Sequence, residues 1–155
     1  MSIEIKAVTD ENRAAILALH VSEKQISYIE STKVCLEDAK ECHYYKPVGL
    51  YYEGDLVGFA MYGLFPEYDE DNLDGRVWLD RFFIDEHYQG KGLGKKMLKA
   101  LIQHLAGLYK CKKIYLSIFE NNIHALRLYQ TFGFQFNGEL DFNGEKVMVK
   151  EHIGS

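Results

Sequence analysis

Residues Gln89-Gly-Lys-Gly-Leu-Gly-Lys95 separate two segments of opposite character, and that junction constrains the chain more than any other feature. Before it runs Val77-Trp-Leu-Asp-Arg-Phe-Phe-Ile84, rich in β-branched and aromatic residues and so expected to be a strand. After it, Leu93, Met97, Leu101, Leu105 and Leu108 step by four or three, which predicts an amphipathic helix. A glycine-rich strand-to-helix junction belongs to an α/β domain. The start of a helix carries unpaired N–H groups and partial positive charge, so it attracts phosphate. Glycine lets the backbone approach such an anion with no Cβ in the way, and Lys91 and Lys95 add charge beside it. The plainer alternative is a turn that only starts the helix. Two familiar phosphate loops do not fit. A P-loop has Gly where Gln89 stands and Ser or Thr where Lys96 stands, and a dinucleotide fingerprint has its third glycine one residue later.

The rest of the chain supplies partners for a sheet. Ile3, Ile5 and Ala7 alternate with polar residues and predict an opening strand. A helix capped by Thr9 or Asp10 follows, with Ala14, Ile16, Leu17 and Leu19 as apolar positions. Residues 22 to 43 also read as helical. Val48–Glu53 and Leu56–Tyr62 flank Glu53-Gly54-Asp55, a hairpin with a glycine turn. Residues 66 to 75 form an acidic loop. Beyond the striped helix come a strand at 113 to 118, a helix from Asn122 to Thr131 ending at Gly133, and two strands at 134 to 140 and 145 to 150. The last two are joined through Asp141-Phe-Asn143-Gly144, in which Asn-Gly is a strong hairpin signal. The order β-α-α-β-β-β-α-β-α-β-β predicts one α/β domain over residues 1 to 155 with a mixed, mostly antiparallel sheet flanked by helices.

Composition narrows the function. The formal net charge of -5 argues against a nucleic-acid binder, which would carry a basic footprint, and suits a cationic ligand. Cys35, Cys42 and Cys111 are odd in number and contain no CxxC pair, which fits reduced thiols in the cytoplasm. No apolar run approaches a membrane span or a signal core. His87, His104 and His124 show no metal-ligand spacing, so no metal is expected.

Gln89, Gly92 and Gly94 occupy the fixed places of the Q/R-x-x-G-x-G/A signature of the GNAT superfamily of N-acetyltransferases. Downstream, Asn122-x-x-Ala125-x-x-x-Tyr129-x-x-x-Gly133-Phe134 matches a second pattern of that family. The chain resembles that family over nearly its whole length. Through Tyr28-Ile-Glu-Ser-Thr, Phe65-Pro-Glu-Tyr and Asp80-Arg-Phe-Phe it is similar to the bacterial spermine/spermidine acetyltransferases of the Blt type.

The resemblance implies a chemistry. Acetyl-CoA would lie along the strand at Phe82, Phe83 and Ile84. Its pyrophosphate would rest on the loop formed by Gln89, Gly90, Lys91, Gly92, Leu93, Gly94 and Lys95. Asn122 would stand near the cofactor, or serve only as a helix N-cap. A backbone N–H at Phe83 or Ile84 would stabilise the oxyanion. Tyr129 would be the acid that protonates the leaving thiolate; the alternative is a packed aromatic. Asp80, and on resemblance alone Glu30, would contact the amine, although Asp80 also reads as the partner of Arg81 or Arg76. The carboxylates Glu67, Asp69, Glu70, Asp71 and Asp74 would draw a polycation from a distance, or simply be solvated. The acceptor would be a polyamine and the assembly a homodimer. Three other readings stay open: a different acceptor amine, such as an aminoglycoside, an amino acid or a protein N-terminus; a non-catalytic acyl-CoA-binding module; and a nucleotide-binding regulator that merely uses the glycine-rich loop.

Overall fold

The computed structural model describes residues 2–20, 31–68, 73, 75–151 and 153. Its elements follow the expected order: β1 (Ile3–Ala7), α1 (Arg13–Leu17), α2 (Thr32–Glu41), β2 (Lys46–Tyr52), β3 (Asp55–Phe65), β4 (Arg76–Ile84), α3 (Leu93–Tyr109), β5 (Ile114–Ile118), α4 (Ile123–Thr131), β6 (Gln135–Leu140) and β7 (Lys146–Lys150). A short 3-10 turn at Glu86–Tyr88, not anticipated from the sequence, leads from β4 toward α3. The strands form one seven-stranded sheet in the order β1-β2-β3-β4-β5-β7-β6. All neighbours are antiparallel except β4 and β5.

The sheet is covered on both faces, and β3 at its middle shows why. Phe59 and Met61 pack with Ile16 of α1 and with Cys35 and Leu36 of α2. Ala60 and Tyr62, alternating with them, belong to the larger core with Met97, Leu98, Leu101 and Leu105 of α3. Period-two alternation thus feeds two cores at once. The α3 stripe is buried at Leu93, Met97, Leu101 and Leu105 as expected, but Leu108 is 54% exposed because the helix ends one residue later. Each stripe residue taken out of water contributes roughly 1.5–3 kcal/mol.

Two local expectations are corrected. Helix α1 spans five residues, and its N-cap is Asn12 rather than Thr9 or Asp10. Asn12 Oδ1 accepts the Thr9 N–H at 2.7 Å, so this asparagine organises the turn before the helix. Residues 141 to 144 lie in the loop that joins β6 and β7, as expected. Only Gly144 has positive φ there (82°), and Asp141 N–H bonds to the Glu145 carbonyl at 2.9 Å, giving a longer loop. By contrast, Glu53 and Gly54 both have positive φ (51° and 89°), as a tight type I′ hairpin requires.

Candidate active site

Strands β4 and β5 run parallel but pair only at Trp78 and Tyr115. That point is clamped. The two rings lie 5.4 Å apart, the Arg76 guanidinium sits 4.4 Å from the Tyr115 ring centre, and Glu139 grips Arg76 with two bonds of 2.7 and 2.9 Å. Beyond the clamp the strands diverge. On the β3 side, β4 remains paired through Phe82, Phe83 and Ile84, opposite Ala60, Phe59 and Gly58. Its other edge, facing β5, carries no further ladder pair among the described residues, and apart from the Ile84 carbonyl, which Gln89 engages, it can take an extended ligand.

A register shift helps to turn β4. Met61 pairs with Arg81 but Tyr62 pairs with Leu79, so Asp80 is the extra residue of a β-bulge. A bulge bends its strand and re-aims a side chain. Asp80 consequently faces the wedge, with its carboxylate 3.7 Å from Arg81 Nη1.

The wedge is a cavity of about 500 Å³. Asp80, Phe82, Phe83 and Ile84 wall one side, Ser117 and Phe119 the other, and Asn122 and Tyr129 line it from α4. Gln89, Gly90, Gly92, Leu93, Gly94 and Lys95 border its outer end. Of the described residues expected to hold the cofactor, bind the amine at close range or act as the acid, all but Lys91 line the wedge. Lys91 turns away, with its ammonium 5.6 Å from the Tyr88 ring centre, and does not line the wedge. Glu30 lies outside the described residues, as do Tyr28, Asp69, Glu70, Asp71 and Asp74.

The glycine loop is held down at its start. Asp85 is 4% exposed and accepts the N–H groups of His20 and His87 (2.7 and 2.8 Å) and pairs with His87 Nδ1 at 2.8 Å. Burial alone would raise its pKa, but these bonds outweigh burial and lower it. The Gln89 side chain donates to the Ile84 carbonyl at 2.9 Å, tying the loop to the end of β4. Gly90 and Gly92 then take left-handed φ values of 80° and 78°, and Gly92 is the N-cap of α3. A Cβ built on either would meet open space, so the backbone there is exposed to an approaching group. Diphosphate fits such a cradle of N–H groups at the start of a 17-residue helix.

Asn122 stands at the N-cap position of α4 but makes no side-chain cap bond, so its amide faces the cavity uncommitted to the helix. Tyr129 is 8% exposed and meets Phe134 edge-on at 5.8 Å. Burial raises its pKa well above the usual phenol value, with Arg81 pulling weakly the other way. It is therefore both a packed aromatic and a cavity-lining phenol that stays protonated at neutral pH.

A second, smaller cavity lies behind the fork. Tyr45, Trp78, Glu67, Glu139 and Asp141 line it, and it shares Asp80 and Ser117 with the wedge. The Trp78 indole N–H donates to Glu67. Burial and then the Asp80 carboxylate push the Tyr45 phenol up to about 12. Carboxylates and aromatic faces together make a surface suited to ammonium groups.

Sequence reasoning missed Glu145, which also lines the wedge. Its carboxyl is pushed up to about 7, by burial first and then by Asp141. Nothing marks it in the sequence beyond its place after the Asn143-Gly144 turn. Only the sheet order, which puts β7 beside β5, brings it to the site.

Comparison with known proteins agrees with this geometry. The acetyltransferase (GNAT) family model matches residues 13–134. The chain is 91% identical over 151 residues to the spermine/spermidine N(1)-acetyltransferase of Bacillus subtilis (strain 168), covering 97% of this chain and 99% of the relative. A probable spermine N(1)-acetyltransferase of Bacillus subtilis subsp. natto (strain BEST195) matches to the same extent. Among solved structures, aminoglycoside acetyltransferase AAC(6')-Ib in complex with coenzyme A superposes with a TM-score of 0.77 at 18% identity, covering 97% of this chain and 95% of the other. The PaiA N-acetyltransferase of Thermoplasma acidophilum with coenzyme A gives 0.66 at 16% identity, covering 97% and 99%. A forked sheet, a glycine cradle before α3 and a family match over most of the chain have one reading: the chain belongs to the acetyltransferase (GNAT) family.

Proposed function

We propose that this chain transfers the acetyl group of acetyl-CoA to a primary amine of a polyamine, spermine or spermidine, by direct attack within a ternary complex. The observation that carries the reading is the meeting of two cavities at Asp80 and Ser117. One has a cradle for diphosphate and an open strand edge. The other is lined by carboxylates and aromatic rings. The polyamine acceptor is supported by the names of the two relatives at 91% identity.

In this reading the pantetheine amides pair with the free edge of β4 at Phe82–Ile84, and the diphosphate sits on the N–H groups between Gly90 and Lys95. Lys91 contributes charge from outside the wedge. Asn122 holds the cofactor near the fork. A backbone N–H at Phe83 or Ile84 faces the developing oxyanion. The amine enters along the acidic side, where Asp80 binds an ammonium, with Glu30 as a further contact on resemblance. Its nitrogen attacks the thioester carbonyl carbon, and the Tyr129 hydroxyl gives its proton to the departing sulfur. The acyltransferase domain spans residues 1–155, acts in the cytoplasm and pairs as a homodimer, which light scattering at twice 17.9 kDa would verify.

The direct experiment is mass spectrometry of a reaction containing protein, acetyl-CoA and spermine. A monoacetylated product, modified at a terminal nitrogen, is expected. Acetylation of an aminoglycoside or a peptide N-terminus, with the polyamine untouched, would replace this reading with its nearest rival. Tight acetyl-CoA binding with no acceptor at all would favour a non-catalytic module.

A further inference from the structure

The geometry points to Glu145 as the group that takes the proton from the attacking amine. This rests on the reading of the chain as an amine acetyltransferase and adds the base that reading lacks. An amine acceptor with a pKa near ~10 arrives protonated and has no lone pair until a proton leaves. Asp80, Glu145 and Tyr129 all line the wedge. Tyr129 is held as a phenol by burial, which suits it to giving a proton. Asp80 lies against Arg81, its carboxylate 3.7 Å from Nη1.

Glu145 differs from both in how it is held. Its N–H donates to Asp141 Oδ1 at 2.9 Å, and its carbonyl accepts the Asp141 N–H at 2.9 Å. Asp141 also accepts the Asn143 N–H at 2.9 Å and, through Oδ2, the Ser117 hydroxyl at 2.8 Å. Asp141 is thus committed as an acceptor on three sides, and Ser117 anchors it to β5. The hairpin loop is fixed against the wall of the wedge, and Glu145 is fixed with it. The charged and titratable groups that face Glu145 are Asp141 in its own loop and Asp80 and Arg81 on β4. Burial, Asp141 and Asp80 all favour its protonated form, and Arg81 opposes them, leaving the carboxyl at about 7. A proton acceptor works best when its affinity matches the working pH.

The acceptor enters as an ammonium, and the Glu145 carboxylate takes one proton and frees the lone pair. Nitrogen then bonds to the carbonyl carbon, and the carbon–sulfur bond breaks. The thiolate takes the Tyr129 proton, and the second nitrogen proton restores the Tyr129 phenol. Glu145 releases its proton to solvent, so each turnover yields one amide, one thiol and one proton.

The test is the pH dependence of kcat/KM for spermidine in the wild type, Glu145→Gln and Glu145→Asp, with acetyl-CoA affinity and melting temperature measured on each. The wild type is expected to lose activity as pH falls through about 7. Glu145→Gln should be ~10²–10⁴-fold slower near neutrality. It should lack that limb and recover toward about pH 10, where the free amine no longer needs a base. Glu145→Asp should keep the limb, and acetyl-CoA affinity should be unchanged in all three. A wild-type profile with no ionisation near 7 overturns the proposal, whether or not the variants fold. So does Glu145→Gln with an unaltered limb and turnover. A wild type that acetylates no polyamine refutes the substrate reading instead, and the same series on the amine it does accept then decides the role of Glu145.

Discussion

Replacing Gly92 by valine separates backbone strain from ligand binding, because the structure supplies its own control. Gly92 has φ of 78°, and a Cβ added there meets nothing within 4 Å. Gly54, in the β2–β3 turn, has φ of 89° and is equally uncrowded. Forcing an L-residue into the left-handed region costs roughly 1–2 kcal/mol, with a β-branched side chain at the upper end. For a chain of this size that is a fall of about 2–8 °C in melting temperature. Gly54→Val and Gly92→Val should therefore lose similar stability. Only Gly92 borders the wedge. If its N–H or a neighbour's binds diphosphate, losing one such charge-assisted bond costs about 1.5–3 kcal/mol, or about ten- to hundredfold in acetyl-CoA affinity. Calorimetric titration of both variants, with melts in parallel, makes the comparison. Equal acetyl-CoA affinity in Gly92→Val and Gly54→Val would refute the cradle assignment, since the strain would then be the whole effect.

Tyr129→Phe keeps the ring packed against Phe134 and removes only the proton donor; turnover should fall ~10²–10⁴-fold with acetyl-CoA affinity and melting temperature nearly intact, and wild-type turnover with chemistry rate-limiting would remove Tyr129 from the mechanism. Asp80→Asn should weaken amine use at every ionic strength if Asp80, on its bulge, binds the ammonium directly as proposed. Neutralising Asp69, Glu70 and Asp71 together should raise the apparent KM for spermine at low salt and matter little at high salt if they act at a distance, since charges in solvent are screened beyond ~8–10 Å. Spermine should suffer more than putrescine, and equal losses for both amines at all salt concentrations would rule out long-range attraction. Stability should also report Glu145. Its folded pKa is raised above the unfolded value, so the stability it contributes is present below about pH 4.5 and is lost as pH rises through about 7. The melting advantage of the wild type over Glu145→Gln should therefore shrink between pH 5 and 8, and a constant difference would contradict the shift.

Local signals carried the elements of this fold, and long-range pairing carried the site. The striped helix, the Glu53-Gly54 turn and the glycine cradle were legible because each is decided within a few residues. The limits came where the tertiary structure decides. Leu108 continues the apolar step of α3, yet it is exposed because α3 ends at Tyr109. Asn143-Gly144 marks the β6–β7 hairpin, but nothing local shows that the Asp141 side chain organises its loop. Lys91 sits in the signature yet points at Tyr88. Asp80 was recognisable as a carboxylate on a central strand, whereas the bulge that aims it depends on the register with β3. Glu145 was invisible for the same reason. Its role depends on β7 lying between β5 and β6, a fact of sheet order that no local pattern encodes.

The central claim is acetyl transfer to a polyamine at the fork of β4 and β5. Thiol release from acetyl-CoA, followed with spermine, spermidine, putrescine, an aminoglycoside, a free amino acid and a peptide N-terminus at equal concentration, tests it most directly. kcat/KM should be highest for spermine and spermidine, with the aminoglycoside, amino acid and peptide near the rate of simple hydrolysis. Release that is no faster with any polyamine than without an acceptor, or fastest with one of the unrelated amines, would contradict it.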